Sequence, residues 1–331
     1  MLRTSRELQH TFQRLLDTTQ ALTGRMLQNL SDLNREENAQ FQAIWGKMPA
    51  ERRRQLARAL AELAEEDVQV DYHAIFRWLL NDADPQVRAL AIDGLWEDED
   101  TALIGPLARL LTSDPDVGVR AAAAASLGRY VLLGELEEIE SSLAMHAEQV
   151  LLAAIHSAGE DVEVRRRAIE SIAYSGEAGV RDIIENAYYD EDERMRISAL
   201  FAMGRSADTY WRDTVLSELD NERPAIRYEA ARAAGELEIK AAVPRLIELI
   251  DDADAEVREA SITALGRIGG PQARQALLRC LESDKEAIQD AADAALEELE
   301  FTEAGGEIPL LSWDDEDTED ETLYLGEDDE D

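Results

Sequence analysis

The sequence is poor in cysteine and in long apolar runs, and each shortage narrows what the protein can be. Cys280 is the only cysteine among the 331 residues, so no disulfide can form within the chain and no zinc site can be built from cysteines. No stretch approaches the ~20 apolar residues of a membrane helix, and the start, MLRTSRELQHTFQRLL, lacks the apolar core of a signal peptide. These shortages predict a soluble protein of the cytoplasm, with Cys280 as a small buried side chain.

Positive charge and aromatic side chains are also scarce. The 33 basic residues face 72 acidic ones, which gives a formal net charge of −39. Such a field disfavours direct binding to nucleic acid or to an anionic membrane, and it favours protein partners that are basic. Aromatic residues make up 5% of the chain against 45% for all apolar residues, so the core is predicted to consist of closely packed Leu, Ala, Ile and Val.

What the chain does contain is a repeat centred on an arginine, called here the anchor. The last four spacings between anchors are 31 residues each, the residue before the anchor is always apolar, and the residue three positions after it is always small. A period held this regularly is typical of stacked structural units that bury their apolar sides against one another. The anchors are Arg88, Arg120, Arg165, Arg196, Arg227, Arg258 and, in the last copy, Gln289.

Each copy is predicted to be a helix, a turn and a second helix. Stretches such as IGPLARLL and AAVPRLIELI predict first helices. An aspartate four residues before most anchors can cap the second helix, and apolar residues one before, three after and seven after the anchor share one side of it. The anchor arginine itself is predicted to join a charge ladder between neighbouring repeats. The capping residues are Asp84, Asp116, Asp161, Asp192 and Asp254, and glycines crowd the far end at Gly128, Gly204, Gly235 and Gly266.

The Asp-x-x-Val-Arg centre and the 31-residue period resemble HEAT repeats, specifically the short type called PBS-lyase HEAT-like, over about residues 49–299. The resemblance implies an all-α, right-handed α-α superhelix of the armadillo-like type, with about seven to eight helical hairpins. It also implies that the second helices line a concave side. We therefore predict a solenoid over residues 48–301.

Two departures from the repeat carry expectations of their own. Fourteen extra residues between Arg120 and Arg165 fall within YVLLGELEEIESSLAMHA, and they are predicted to lengthen a helix or to add a small excursion. The last copy has Gln289, Lys285 and Glu297 where the others have arginine, aspartate and glycine, as expected of a polar terminal cap.

Residues 1–47 lie outside the period and are predicted to form an amphipathic helical segment. Two interpretations stay open for it, a cap on the solenoid or a docking or dimerising helix. Through Arg58 this end holds ten basic and six acidic residues, too mixed to indicate RNA binding. Its apolar residues at helical spacing are Leu8, Phe12, Leu15, Leu22, Met26, Leu30 and Leu33.

Residues 302–331 form an acidic tail with fourteen carboxylates and no basic residue, so disorder is predicted there. Apolar clusters interrupt the acidic stretches, a pattern that suits a regulatory element or a binding element for a basic partner. We predict that the anchoring side chains of this tail are Leu310, Leu311, Trp313, Leu323, Tyr324 and Leu325.

A candidate binding patch follows from the second helices. Positions one, two and five after each anchor point away from the apolar stripe, and in the middle copies they are unusually basic and aromatic. This patch is predicted to receive an acidic, aromatic segment, either from a partner or, within the molecule, from the acidic tail acting as an autoinhibitor. The alternative is that its arginines pair with nearby glutamates. The patch residues are Arg166, Arg167, Phe201, Tyr228 and Arg232.

No catalytic, cofactor-binding or metal-binding residue is predicted. Related repeats occur in deoxyhypusine hydroxylase, whose two irons require His-Glu steps, whereas here Thr, Ala, Ala and Ser follow the four histidines. The main prediction is thus a non-catalytic scaffold or adaptor that binds partner segments. Two alternatives stay open, a bilin-lyase-like enzyme and an acidic chaperone or nucleic-acid mimic for a basic client.

Overall fold

The structure, a computed structural model, describes residues 4–303, and every regular element in that range is helical. Three short 3-10 turns, Thr101–Leu103, Thr209–Trp211 and Lys240–Ala242, precede first helices. The α-helices of the described range are α1 (Ser5–Leu15), α2 (Gly24–Gln28), α3 (Arg35–Trp45), α4 (Ala50–Glu66), α5 (His73–Leu79), α6 (Pro85–Asp93), α7 (Ile104–Ser113), α8 (Val117–Glu135), α9 (Ser141–His156), α10 (Val162–Ile172), α11 (Ala178–Tyr188), α12 (Glu193–Arg205), α13 (Arg212–Glu218), α14 (Pro224–Glu236), α15 (Val243–Leu249), α16 (Ala255–Ile268), α17 (Pro271–Cys280) and α18 (Glu286–Glu303).

The helices from α5 onward alternate as first and second members of seven hairpins. The even-numbered helices from α4 to α18 pack each against the next and form one continuous layer, called here the second-helix layer. Each odd-numbered helix from α5 packs against the second helix of its own hairpin. The predicted all-α solenoid is therefore confirmed, and one apolar core runs through it because no hairpin can bury both of its sides alone.

The second helices begin where the aspartates predict. Asp84 accepts a hydrogen bond from the Gln86 amide at 3.0 Å, and Pro85 occupies the first position of α6. The side chains of Asp116, Asp161, Asp192 and Asp254 cap α8, α10, α12 and α16 in the same way. Each of these carboxylates satisfies an amide that a helix start would otherwise leave unpaired.

The anchor arginines form the predicted ladder between repeats. Arg88 pairs with Asp114 of the next repeat at 2.7 Å and Arg227 pairs with Asp252 at 2.8 Å. Arg88 also donates to the Asp82 carbonyl, six residues before it, at 2.7 Å. The same main-chain bond is made by Arg120, Arg227, Arg258 and, in the terminal copy, Gln289. Two anchors, Arg165 and Arg196, keep a buried Nε without a hydrogen-bond partner within the described residues.

Small residues let the second helices approach closely. A Cβ atom added to Gly235 would lie 2.9 Å from Ala264 Cα, and one added to Gly266 would lie 2.6 Å from the Ala295 carbonyl oxygen. Real Cβ contacts are not that short, so these positions require glycine. Crowding at the four predicted glycines, on α8, α12, α14 and α16, is confirmed.

The insertion between Arg120 and Arg165 lengthens helices, which was one of its two predicted outcomes. Helix α8 has 19 residues and α9 has 16, against 13 in α14 and 7 in α15. The additional turns extend the second helix of one hairpin and the first helix of the next, and the layer is not interrupted, because α8 still packs against both α6 and α10.

The N-terminal helices cap the first hairpins of the same chain. Phe41 contacts Phe12 with ring centroids 6.4 Å apart and contacts Trp78 of α5 at 6.5 Å. Arg52 of α4 is buried and donates to the Leu15 carbonyl at 3.2 Å. The predicted amphipathic positions are buried except Leu22, which is partly buried. The division at residues 47 and 301 into separate domains stays a prediction.

The predicted tail anchors Leu310, Leu311, Trp313, Leu323, Tyr324 and Leu325 lie outside the described residues. Cys280 is buried at the end of α17, as predicted. Among the helices of residues 4–303, none combines the length and apolar character that crossing a membrane requires.

Candidate functional site

The five predicted patch residues lie on three neighbouring second helices and are all half-buried. Arg166 and Arg167 belong to α10, Phe201 to α12, and Tyr228 and Arg232 to α14. The Arg232 guanidinium lies over the Phe201 ring, 4.4 Å from its centroid, in cation–π geometry. The structure thus brings Phe201 and Arg232 into direct contact, with Arg166 and Arg167 two helices away from Arg232.

The patch arginines pair with glutamates, which was the alternative interpretation of the pattern. Arg166 meets Glu163 at 2.6 Å, and Arg167 meets Glu170 at 2.9 Å. On α14, Arg232 pairs with Glu236 at 2.9 Å. The surface is therefore charge-balanced rather than basic, and the expected excess of positive charge is absent. Whether this surface binds a partner stays a prediction.

Five positions expected to point away from the core are in fact buried, namely Ala121, Glu170, Ser198, Glu229 and Ala260. Ser198 is 0% exposed, donates to Glu170 Oε1 at 2.5 Å and accepts from Arg166 Nε at 2.9 Å. Glu229 is 9% exposed. Ser198 and Glu229 each lie two residues after an anchor. At that position the neighbouring second helix packs close enough to cover the side chain.

Glu229 is the most perturbed carboxyl group of this surface. Burial raises its pKa to about 7, and the neighbouring carboxylates Glu170 and Glu236 add to the rise against the opposing charge of Arg232. Among the described residues, its Oε2 atom has no hydrogen-bond partner, and the nearest guanidinium nitrogen of Arg232 is 3.5 Å away. The centre of the patch therefore changes charge near neutral pH.

A second ladder, called here the rim ladder, follows the C-terminal ends of the second helices. Arg205 stacks 5.8 Å from the Tyr174 ring centroid and lies 3.6 Å from Glu236 Oε1. Arg267 pairs with Glu298 at 3.2 Å. Sequence reasoning missed this ladder. The signal that could have found it is the recurrence of charged or aromatic residues nine positions after the anchors. Its members are Arg129, Tyr174, Arg205, Glu236, Arg267 and Glu298.

A groove of about 440 Å³ lies along the rim ladder. Its floor includes Gly204 and Gly235. The Glu236 side chain of α14 crosses Gly204, and the Arg267 side chain of α16 crosses Gly235. A Cβ atom on Gly204 would lie 3.0 Å from Ala233 Cα, so the close approach of α14 favours glycine there. The groove ends at Thr302 on one side and at Leu132 of α8 on the other.

One arginine of the rim ladder has no paired carboxylate within the described residues. Arg129, the rim-ladder member on α8, donates to the Leu95 carbonyl at 3.1 Å and to that of Trp96. Its Nε and one terminal nitrogen are buried and have no acceptor within the described residues. The Trp96 side chain beside it is half exposed.

Across residues 4–303, no three or more His, Cys, Asp or Glu side chains come together in a way that could hold a metal ion.

Comparison with known families agrees with the repeat and its geometry. The family described as HEAT repeats matches residues 73–157 and 212–297, which together exceed half of the 331-residue chain. The chain belongs to the HEAT-repeat family. Both matched regions lie within the stacked hairpins from α5 to α18.

One curated relative of this HEAT-repeat chain is deoxyhypusine hydroxylase from Gallus gallus, 27% identical over 116 residues, which are 34% of this chain. The match spans only 39% of the length of that relative. The activity of the whole hydroxylase therefore does not transfer to this chain.

Solved structures with a similar fold include human deoxyhypusine hydroxylase in complex with glycerol, at 20% identity and a TM-score of 0.36, covering 89% of this chain and 96% of that one. A designed armadillo repeat protein in complex with the peptide (KR)4 shows 22% identity and a TM-score of 0.39, covering 59% of this chain and 99% of that one. The complex of CpcE and CpcF of phycocyanin lyase from Nostoc shows 18% identity and a TM-score of 0.44, covering 61% of this chain and 79% of that one. These likenesses concern the fold alone.

Proposed function

We propose that this protein is a non-catalytic scaffold that binds an extended segment of a partner protein on the exposed face of the second-helix layer, across α10, α12 and α14. The supporting observation is the Phe201 ring, which contacts two guanidinium groups. Arg232 is 4.4 Å and Arg205 is 5.3 Å from its centroid. Arginines and aromatic rings held in fixed positions are the residue types that dominate binding energy at protein interfaces.

The charge pairs around Phe201 favour a partner segment that carries charge of its own. Arg166, Arg167 and Arg232 are already oriented by glutamates of their own helices, so little side-chain freedom is lost when a partner binds. An incoming basic side chain can replace an arginine at its glutamate. Because the protein as a whole is strongly acidic, basic partner segments are favoured. We place this activity in the cytoplasm.

The test is affinity capture from native extract with matched variants of the full chain. Phe201→Ala with Arg232→Ala removes the centre of the patch, whereas Arg245→Ala removes a comparable arginine on the first helix α15. We expect at least one protein to be retained by wild type and by the Arg245→Ala variant and to be lost by the double variant. A set of captured proteins that is identical for all three would contradict the proposal.

A second candidate function, an acidic chaperone for a basic client, is favoured by the charge distribution. Residues 59–301 contain 23 basic and 52 acidic residues, and residues 302–331 add a run of carboxylates. Deletion of residues 302–331 separates the two functions. A chaperone would lose client binding and its dependence on salt, whereas the scaffold would keep its partner.

A further inference from the structure

A cavity of about 550 Å³, called here the N-terminal cavity, lies between α1 and α2. Small-molecule sites in proteins have volumes of about 300–1,000 Å³. Two contacts join the helices beside it, since Asn29 donates to the Thr11 hydroxyl at 3.0 Å and Arg25 pairs with Glu7 at 2.7 Å. Thr11 and Met26, each 2% exposed, form its closed side. The cavity is therefore part of the packed N-terminal cap.

The wall of the N-terminal cavity is basic. Arg6, His10 and Arg14 follow one another at four-residue steps along α1, so they lie on one side of that helix. Arg25 lines the cavity from α2, and Glu7 is the one carboxylate among the described residues that line it. Three guanidinium groups and an imidazole thus surround a single negative charge.

Two other cavities of the described chain have no such excess of positive charge. The groove along the rim ladder is lined by two arginines and three glutamates, and a cavity beside α4 is lined by two of each. The chain as a whole carries a charge of −39. Because charges are screened beyond about 8 Å at physiological salt, the groups that line a cavity decide which ligand it attracts. The N-terminal cavity therefore attracts anions within an acidic protein.

Two of these arginines have donors available for a ligand. Among residues 4–303, neither Arg6 nor Arg14 forms an ion pair with a carboxylate, and Arg14 uses its Nε to donate to Gln20 at 2.9 Å. Arg6 is exposed and Arg14 is half-buried, so solvent reaches both. Their terminal nitrogens can therefore form charge-assisted hydrogen bonds with an anion that enters the cavity.

Glu7 is already occupied by bonds of its own. The Thr4 amide and hydroxyl donate to its Oε2 at 2.9 and 3.0 Å, and Arg25 binds its Oε1. These bonds to Thr4 and to Arg25 hold the pKa of Glu7 below its usual range, so the group stays ionised. Glu7 orients Arg25 and also competes with a bound anion for it.

We propose that the N-terminal cavity binds a small organic molecule that carries two phosphate groups. Guanidinium groups bind phosphate oxygens through paired hydrogen bonds, and a phosphate brings more charge against Glu7 than a carboxylate does. Arg6 and Arg14 begin about 12 Å apart along α1, which is farther than one phosphate group spans. The volume also leaves room for an organic part beside Met26. The site is separate from the partner surface on α10, α12 and α14 and does not rest on the proposed function.

Isothermal titration calorimetry on the purified full-length protein, at about 150 mM salt and without divalent metal, tests the ligand class. Adenosine diphosphate offers adjacent phosphates, fructose 1,6-bisphosphate offers separated ones, and citrate offers carboxylates of comparable charge. We expect at least one phosphate probe to bind with a Kd below about 1 mM and at least about tenfold more tightly than citrate. The stronger of the two phosphate probes shows which phosphate spacing the site prefers. Absence of binding, equal binding of citrate, or tighter binding of a short RNA would each overturn the proposal.

Two double variants that remove the same charge test the place of binding. Arg6→Gln with Arg14→Gln should raise the Kd of the bound probe at least about tenfold, because charge-assisted hydrogen bonds are lost. Arg35→Gln with Arg212→Gln removes two exposed arginines outside the cavity and should leave the Kd unchanged. Circular dichroism verifies that both remain helical. Equal Kd values for the two double variants would refute the cavity as the site.

Glu7→Gln tests the same site with the opposite sign. Glutamine can keep the capping bond to the Thr4 amide, so α1 keeps its start while the cavity loses its one carboxylate. Arg25 is released for the ligand, and the Kd should fall about threefold or more. Damage to the fold would weaken binding, so it cannot imitate this result. An unchanged or higher Kd would contradict the proposal, and this variant decides the question if the arginine variants do not fold.

Discussion

Replacement of Glu229 by glutamine should remove a pH dependence of stability that originates in the second-helix layer. Burial raises the pKa of Glu229 from 4.5 to about 7, so the folded state retains a proton that the unfolded chain releases. Ionisation then favours unfolding, and stability that is fully present below pH ~4.5 is lost as the pH rises to about 7. A shift of about 2.5 pH units at about 1.4 kcal/mol per unit sets an upper limit of about 3 kcal/mol.

Chemical denaturation followed by circular dichroism at pH 5, 6, 7 and 8 measures this effect. The difference in free energy of unfolding between Glu229→Gln and wild type should grow in favour of the variant up to about pH 7 and then level off. Glu248→Gln is the matched control, because it removes the same charge from an exposed pair with Arg245. If both variants follow the pH profile of wild type, the raised pKa of Glu229 is refuted.

Three further substitutions test the packing and the ladders. Arg88→Met leaves the buried carboxylate of Asp114 unpaired and should lower the free energy of unfolding by about 3 kcal/mol, measured by denaturation; a loss below about 1 kcal/mol would show that the pair is dispensable. Gly266→Ala places a methyl group against a backbone carbonyl and should cost about 1–3 kcal/mol in thermal unfolding, whereas Gly159→Ala, with open space around it, should not destabilise; equal effects would disprove the close approach. Asp254→Ala removes the cap of α16 and should cost about 1 kcal/mol, visible as faster hydrogen exchange in the first turn of that helix; unchanged exchange would argue against the cap.

The repeat made most of the fold predictable, because each local signal agreed with the global period. Asp84 and Pro85 mark a helix start, and Arg88 pairs as the ladder requires. The N-terminal segment left two interpretations open, a cap on the solenoid or a docking or dimerising helix. An amphipathic pattern shows that the apolar side of a helix is covered, but it does not show by what. The structure supplies that partner, with Phe41 packed on Trp78 of the first hairpin.

The candidate site was less predictable, because it depends on how closely neighbouring second helices approach. The apolar stripe defines the side that faces the first helices, but it does not show that Ser198 and Glu229 are covered laterally. The sequence also does not show which partner each arginine takes. Arg232 has glutamates within reach on its own helix, and it has Phe201 within reach on the neighbouring helix α12. The rim ladder was accessible from the period, but only by aligning polar positions rather than apolar ones.

The alternation of charge along the rim ladder has a consequence for changes in the number of hairpins. Arg205, Glu236, Arg267 and Glu298 recur every 31 residues, but their sign repeats only every 62 residues. Excising residues 227–257 would remove one unit and set Arg205 beside Arg267, two like charges. Excising residues 227–288 removes two units and sets Arg205 beside Glu298. The solenoid should therefore tolerate losing an even number of units from this region better than an odd number.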